Sequence, residues 1–303
     1  MRAVLVVAAA CVTSGIQGRQ PPVPAPGLTI THAAREVAPG EIVLLTITGS
    51  APLKSVAGTA FGQRLAAFPR EAVGAGGAAG LAAAPGVWQA LVGIDLGAAL
   101  GPSTVAVEAR TVDGAVVRGT HRLTVVRKTF GVRRLRVPEQ FVTPPASALA
   151  RIAREQKRLA EVYAAVSPSR LWRGAFERPT DGAPVSQFGV RSDYNGKQGT
   201  PHRGTDFAGA AGAPVRAPAA GRVVLAMDLY YSGNTVILDH GLGLFSVLMH
   251  LSRIDVTEGD IVAAGAGVGA VGATGRVTGP HLHWSVRIGP VSVDPLSLLA
   301  LTP

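Results

Sequence analysis

The chain has little cysteine, few aromatic residues and no long hydrophobic segment. Cys11 is the single cysteine among 303 residues, so no disulfide can form within the chain and its stability must come from an apolar core or a bound metal. Aromatic residues make up 5% of the sequence and do not alternate with basic ones, so no nucleic-acid-binding platform is indicated. No apolar run approaches the roughly 18 residues that a membrane-spanning helix requires.

Acidic residues are also scarce, with 19 Asp and Glu against 29 Lys and Arg, for a net charge of +10. This charge fits either an anionic partner, such as a cell-wall polymer, or an arginine-rich solvated surface. The basic residues are spread along the chain except near Lys128–Arg136, which favours the solvated surface. With 16% charged and 47% hydrophobic residues, the composition is that of a globular protein.

The N-terminus has the pattern of a signal peptide. Met1 and Arg2 precede ten apolar residues, Ala3–Val12, and a polar stretch follows. Residues 1–18 are therefore predicted to direct export to the periplasm, cell envelope or medium. Cys11 belongs to the apolar segment, and its context matches a lipoprotein acceptor poorly, so no lipid anchor is expected. Residues 19–27 contain four prolines and are predicted to form a linker.

The remaining chain predicts a mainly β protein in three parts. Residues 28–127 contain short runs of β-branched residues separated by turn signals, which indicates an accessory β-sandwich of immunoglobulin-like type. Residues 128–168 combine a basic linker with an amphipathic helix, predicted over Pro144–Val166 from apolar positions three and four apart. Residues 169–303 return to short strands with dense glycine and hold five of the seven histidines.

The stretch TGPHLHWSV places His281 and His283 on one strand. Residues two apart on a strand point to the same face, about 7 Å apart along the backbone, while Leu282 points into the core. His202 and Asp206 lie four apart in PHRGTD, a glycine-containing loop in which both side chains can converge on one point. His283, His202 and Asp206 would supply three ligands and leave one position open, as in a catalytic zinc site.

Two further histidines are candidates for proton transfer beside such a metal. His250, in LMHLS, and His281 could accept a proton from the attacking water or donate to the oxyanion, because histidine changes protonation near neutral pH. Hydrolysis of an amide bond suits this arrangement. The glycine pattern GVGAVG resembles a dinucleotide-binding motif, but the glycines and proline after it exclude the helix that such a motif needs.

The order of these motifs resembles the M23 zinc metallopeptidases, the lysostaphin- and LytM-type cell-wall endopeptidases. The resemblance covers roughly Phe188 to Pro295 and rests on PHRGTDFAGAAGAPVRAPAAGRV, GNTVILDHG, MHLS, EGDIV and GATGRVTGPHLHWSVR. It implies a C-terminal antiparallel β-domain of the duplicated hybrid motif kind, with a zinc in a groove between two sheets. One departure from the family pattern is Leu248, where a tyrosine is common.

The resemblance assigns the same site residues as the reasoning from chemistry. It implies that one Zn2+ per chain is held by His202, Asp206 and His283, and that His250 and His281 assist catalysis. Tyr194 and Asn195, in FGVRSDYNG, are predicted to contact substrate. These seven residues make up the predicted site.

The function that follows is an exported zinc endopeptidase. Its expected substrate is the peptide stem of bacterial peptidoglycan, cut as a D,D-endopeptidase at D-Ala–diaminopimelate cross-links rather than at glycine bridges. The alternative is a non-catalytic wall-binding protein or an activator of other wall hydrolases, which would use the same groove without hydrolysis. No nucleic-acid partner and no membrane span of the mature chain are expected.

Overall fold

The computed structural model describes residues 27–71 and 83–301. The predicted signal peptide, Cys11 and nearly all of the proline-rich linker lie outside these residues. The described chain is mainly β, as predicted, with two α-helices, Ala146–Ala164 (α1) and Pro295–Leu301 (α2). No helix in this part of the chain is long and apolar enough to cross a membrane.

The N-terminal region forms two four-stranded antiparallel sheets. The strands are β1 Leu28–Ala33, β2 Ile42–Gly49, β3 Leu53–Ala60, β4 Gln63–Arg64, β5 Ala67–Glu71, β6 Ala83–Gly93, β7 Gly101–Thr111 and β8 Val116–Val125. Their orders in the two sheets are β1-β2-β6-β5 and β4-β3-β7-β8. Alternate residues of both sheets, such as Leu45, Val107 and Leu123, form one buried cluster. The short strands predicted for residues 28–127 are present.

The C-terminal region contains thirteen of the strands and three sheets. They are β10 Pro184–Ser186, β11 Arg191–Tyr194, β12 Lys197–Pro201, β13 Thr205–Ala208, β14 Pro214–Arg216, β15 Gly221–Leu229, β16 Gly233–Gly241, β17 Leu244–Leu251, β18 Arg253–Ile254, β19 Ile261–Val262, β20 Gly267–Ala270, β21 His281–Ile288 and β22 Val291–Val293. The main sheet runs β10-β13-β21-β17-β16-β15-β19, with β22 paired to β21. A second sheet is β14-β20-β18, and β12-β11 belong to the third.

The third sheet is completed by a strand from the predicted linker. Strand β9, Val132–Leu135, lies parallel to β11, with Arg133 opposite Ser192. Parallel strands are joined by a long connection, so the two partners lie far apart in sequence. Local sequence patterns therefore do not predict this pairing. The segment 128–168 is thus more than a linker, because it adds an edge to the sheet beside the predicted site.

Helix α1 packs on the main sheet as well as connecting the two regions. It begins two residues later than predicted, after Pro145, and no side chain caps its N-terminus. Val162 is buried in a cluster with Phe245 and Leu225 of the sheet. The apolar face predicted from sequence therefore covers the outer side of the main sheet.

The N-terminal sandwich is docked on the C-terminal region through apolar and ionic contacts. Ile42 belongs to the same buried cluster as Val293 and Leu298. A buried carboxylate, Glu41, pairs with Arg35 at 2.7 Å and with Lys128. Arg35 also pairs with Asp294 at 2.5 Å. The Arg35 guanidinium thus links the N-terminal sandwich to Asp294, the residue that follows β22.

Replacing Glu41 by glutamine should destabilise the fold by about 3 kcal/mol at pH 7, because it removes a fully buried carboxylate from two partly buried cations, Arg35 and Lys128. Burial alone would raise the pKa of Glu41, but hydrogen bonds from Arg35, Lys128 and Ser297 outweigh it and hold the pKa below its usual value. The contribution of this carboxylate is therefore present above pH 4.5 and is lost as the pH falls through the lower folded-state pKa.

Chemical denaturation of wild type and E41Q at pH 7 and at pH 3 measures this contribution. The difference in unfolding free energy should shrink at the lower pH. The matched control is Glu108→Gln, which breaks an exposed pair with Arg118 and should cost less than about 1 kcal/mol. Equal losses in the two variants would contradict the role of the Glu41 network.

Candidate metal centre

Three adjacent strands of the main sheet bring the predicted carboxylate and one predicted histidine together. Asp206 on β13 lies directly opposite His283 on β21, and His283 lies opposite Met249 on β17. Leu282, the residue between the two histidines of β21, is fully buried in the core. The alternation expected from the sequence therefore holds, and it turns His283 to the side of the sheet that carries Asp206.

His202 reaches the same point from the turn before β13. Its Nε2 lies 3.0 Å from Asp206 Oδ1 and 2.9 Å from His283 Nδ1. His283 Nδ1 lies 2.9 Å from the same Oδ1. Gly204 permits this approach, because a Cβ there would lie 2.5 Å from His283 Nε2. The three predicted ligands thus converge, with one potential donor atom each within 4.8 Å of one another.

The chemistry of this donor set fits a zinc ion. Two imidazole nitrogens and one carboxylate oxygen are zinc ligands, and three of them leave a fourth position open. The Nδ1–H of His202 donates to the Gln187 carbonyl at 3.0 Å, the kind of outer contact that orients a ligating imidazole. Burial lowers the pKa of His283, which favours the neutral ring that a metal binds.

Asp206 is held as a carboxylate despite its burial. Burial alone would raise its pKa, but the neighbouring rings of His202 and His283 hold the pKa well below its usual range. Its second oxygen, Oδ2, lies 3.5 Å from the Arg133 guanidinium. One oxygen therefore faces the two histidines while the other faces a cation, which fixes the orientation of the carboxylate.

His281 and His250 stand beside the three convergent residues. His281 Nε2 is 3.7 Å from Asp206 Oδ1, and the His250 and His281 ring centroids are 5.1 Å apart. Each ring donates its Nδ1–H to a backbone carbonyl, His281 to Gly279 at 2.8 Å and His250 to Thr274 at 2.9 Å. In the neutral rings Nε2 is then the acceptor nitrogen, available to take up a proton.

A backbone irregularity places His250 in the site. The pairing of β16 with β17 shifts register between Val236 and Asn234, opposite this end of β17. His250 itself has φ 65°, a left-handed conformation that costs a non-glycine residue energy and recurs at functional sites. Burial and the neighbouring histidines His283 and His281 lower its pKa to about 3. The sequence pattern MHLS gave no sign of this bulge.

The two predicted substrate contacts differ in their surroundings. Tyr194 lines the groove that surrounds the cluster, and this groove has a volume of about 500 Å³. Asn195 and Gly196 form the tip of a two-residue hairpin, both with positive φ. The Asn195 side chain accepts from the Val137 amide at 3.0 Å and donates to its carbonyl at 2.9 Å. It thus holds the segment after β9, and its predicted contact with substrate stays a prediction.

Arg133 was missed from the sequence, where it is one basic residue among those of Lys128–Arg136. It donates to Ser186 Oγ at 2.5 Å and to Ser192 Oγ at 2.9 Å, in addition to its contact with Asp206. The pairing of β9 with β11 is what brings Arg133 close to Asp206.

His240, another histidine of the C-terminal region, is not part of the cluster. Both of its ring nitrogens are engaged elsewhere, with the Ala220 carbonyl and Ser246 Oγ.

Comparison with known proteins gives consistent matches to one peptidase family. The sequence profile of peptidase family M23 matches residues 200–295. A crystal structure of a Pseudomonas aeruginosa protein named as an M23 peptidase is 31% identical, covers 88% of this chain and 96% of its own, and superposes with a TM-score of 0.63.

Two curated relatives match over the C-terminal region. The peptidoglycan DD-endopeptidase ShyA of Vibrio cholerae is 45% identical over 98 residues, which are 32% of this chain and 23% of that protein. The DD-carboxypeptidase/endopeptidase Mpg of Neisseria meningitidis is 41% identical over 102 residues, 34% of this chain and 24% of that protein. The chain therefore spans about a quarter of the length of these relatives.

Proposed function

The chain belongs to peptidase family M23, and from this premise we propose that it is an exported zinc endopeptidase that hydrolyses peptide cross-links of bacterial peptidoglycan. The observation that carries the proposal is the convergence of His202, Asp206 and His283 in a groove that also contains His250 and His281. Export is inferred from the N-terminal sequence pattern of residues 1–18.

In this proposal His202 Nε2, Asp206 Oδ1 and His283 Nδ1 hold one zinc ion. Bound there, zinc supplies Lewis acidity towards a peptide carbonyl and makes water acidic enough to be deprotonated near neutral pH. The protein's own part is to keep the ligands oriented. Gln187 fixes the His202 ring, and Arg133 fixes the outer oxygen of Asp206.

We propose that His281 and His250 accept and donate the protons of the reaction. Each ring has its Nδ1–H tied to a carbonyl, so Nε2 is the nitrogen that accepts a proton from the attacking water. Once protonated, the same Nε2–H can stabilise the oxyanion and then give its proton to the leaving amine. His281 is the more exposed of the two and stands nearer to an incoming peptide.

The bond proposed is the D-Ala–diaminopimelate cross-link. It is supported by the names of the relatives, two of which are peptidoglycan DD-endopeptidases of Vibrio cholerae. The experiment is to incubate the full chain, which contains β9 and Arg133, with peptidoglycan of diaminopimelate type and of glycine-bridge type. Mass spectrometry of the released fragments identifies the bond.

Conversion of cross-linked dimers to monomers in the diaminopimelate wall alone is the expected result. Cleavage only in the glycine-bridged wall would replace the proposed bond while keeping the enzyme. Zinc bound in full with no cleavage of either wall would favour the alternative, a wall-binding protein or activator that uses the groove without hydrolysis.

A further inference from the structure

Arg276, which lines the groove together with Arg133 and Arg203, lies beside two tyrosine rings. Its guanidinium carbon lies 4.4 Å from the centroid of Tyr194 and 5.1 Å from that of Tyr231. All three residues line the groove that contains the histidine cluster. A cation–π contact does not require the guanidinium N–H groups to donate to an oxygen, so these groups remain available to a planar anion.

No acidic side chain neutralises this guanidinium within the described residues. Arg35, Arg118 and Arg151 each pair with a carboxylate, whereas no ion pair involves Arg276. Asp206 is the one acidic residue on the described groove wall, and it is already engaged by His202, His283 and Arg133. The groove thus offers a positioned cation whose anion is not part of the described chain.

The backbone around Arg276 is tied to the catalytic groups. The Arg276 amide donates to the Tyr231 carbonyl at 2.8 Å. Gly275 has φ 73°, and a Cβ there would lie 2.5 Å from the Gly233 amide nitrogen. The carbonyl of Thr274 receives the Nδ1–H of His250. An anion bound by Arg276 would therefore stand at a fixed place relative to His250.

We propose that Arg276 binds a carboxylate of the substrate peptide and so selects stems that carry a free carboxylate near the scissile bond. A guanidinium can form a bidentate pair with a carboxylate, and the contacts with Tyr194 and Tyr231 would keep the guanidinium of Arg276 in place. This inference rests on the proposed function, because the ligand it names is part of a peptidoglycan stem. Among stem residues, diaminopimelate offers such a carboxylate, and amidation removes its charge.

The test uses two cross-linked peptides that differ only in whether the diaminopimelate carboxylate is free or converted to a carboxamide. For the zinc-loaded full chain, kcat/KM should fall by about 10- to 100-fold on amidation, as expected for loss of a hydrogen-bonded charge pair. R276Q should cleave the two peptides with equal efficiency. R276K keeps the charge but loses the planar fork, and its preference should lie between the two.

Arg134 provides the matched control. It is exposed on β9, next to Arg133 but on the other face of the strand, so R134Q removes the same charge without altering the groove wall. R134Q should keep the wild-type preference, which separates a local contact from the general attraction of a basic protein. An R276Q variant that keeps the full preference would overturn the inference.

Binding separates this inference from the proposed function. Fluorescence anisotropy with labelled acid and amide peptides does not require cleavage. If wild type cleaves both peptides equally and binds them equally, the role of Arg276 is refuted while the endopeptidase stands. If neither peptide is cleaved but the acid binds more tightly in an Arg276-dependent way, the carboxylate site stands and the proposed hydrolysis fails.

Discussion

Replacing His283 by alanine should remove both the bound zinc and the peptidase activity. The His283 Nδ1 lies within 3 Å of Asp206 Oδ1 and His202 Nε2, so the variant would leave two ligands where three converge. We expect metal affinity to fall by more than the roughly 10- to 100-fold typical of losing an outer contact to a ligand. Zinc per chain after dialysis, measured by elemental mass spectrometry, checks this.

His121 provides the control for the His283 variant. It lies on β8 of the N-terminal sandwich, where its ring nitrogen is 2.8 Å from that of His32. H121A also removes one imidazole but should keep zinc at one per chain and retain activity. A His283 variant that keeps full zinc, or an H121A variant that loses it, would place the metal elsewhere.

Replacing His281 by alanine should keep the zinc and lose about 10²- to 10⁴-fold in turnover, the range typical of a general acid or base. Its Nε2 is 3.7 Å from Asp206 Oδ1, whereas the candidate ligand atoms of His202 and His283 lie 3.0 and 2.9 Å from that oxygen. Its Nδ1–H is bound to Gly279, so the free nitrogen faces the groove. Zinc content and peptide cleavage, measured on the same preparation, separate the two roles.

The outcome that would contradict this separation is equal zinc loss in H281A and H283A. His281 would then be a ligand, and the assignment of the histidines on β21 would be wrong. A conservative variant, H281Q, helps to distinguish proton transfer from hydrogen bonding. The glutamine side chain can still form hydrogen bonds in the groove but cannot accept or release a proton. H281Q should therefore be as inactive as H281A.

The convergence of His202, Asp206 and His283 could be predicted because it depends on short-range rules. Strand alternation places His281 and His283 on one face, and a loop with glycine brings His202 near Asp206. The buried position of Leu282 follows from the same alternation. Motif order then indicated the family, and the comparisons bear that prediction out.

The features that escaped prediction depend on contacts between distant segments. Strand β9 pairs with β11 across about sixty residues, and only this pairing brings Arg133 to Asp206. The left-handed backbone of His250 arises from an irregular strand pairing that the residue types do not encode. Strand β5 contains Pro69, which local reasoning counts against a strand.

The most direct test of the central claim is removal and return of the metal in the full chain. Purified protein should contain one zinc per chain, lose zinc and peptidoglycan cleavage together on chelation, and recover both when one equivalent of zinc is restored. D206N, which keeps the shape of the side chain but not its charge, should fail to recover either. Cleavage that persists without zinc, or zinc bound equally well by D206N, would contradict the metal centre described here.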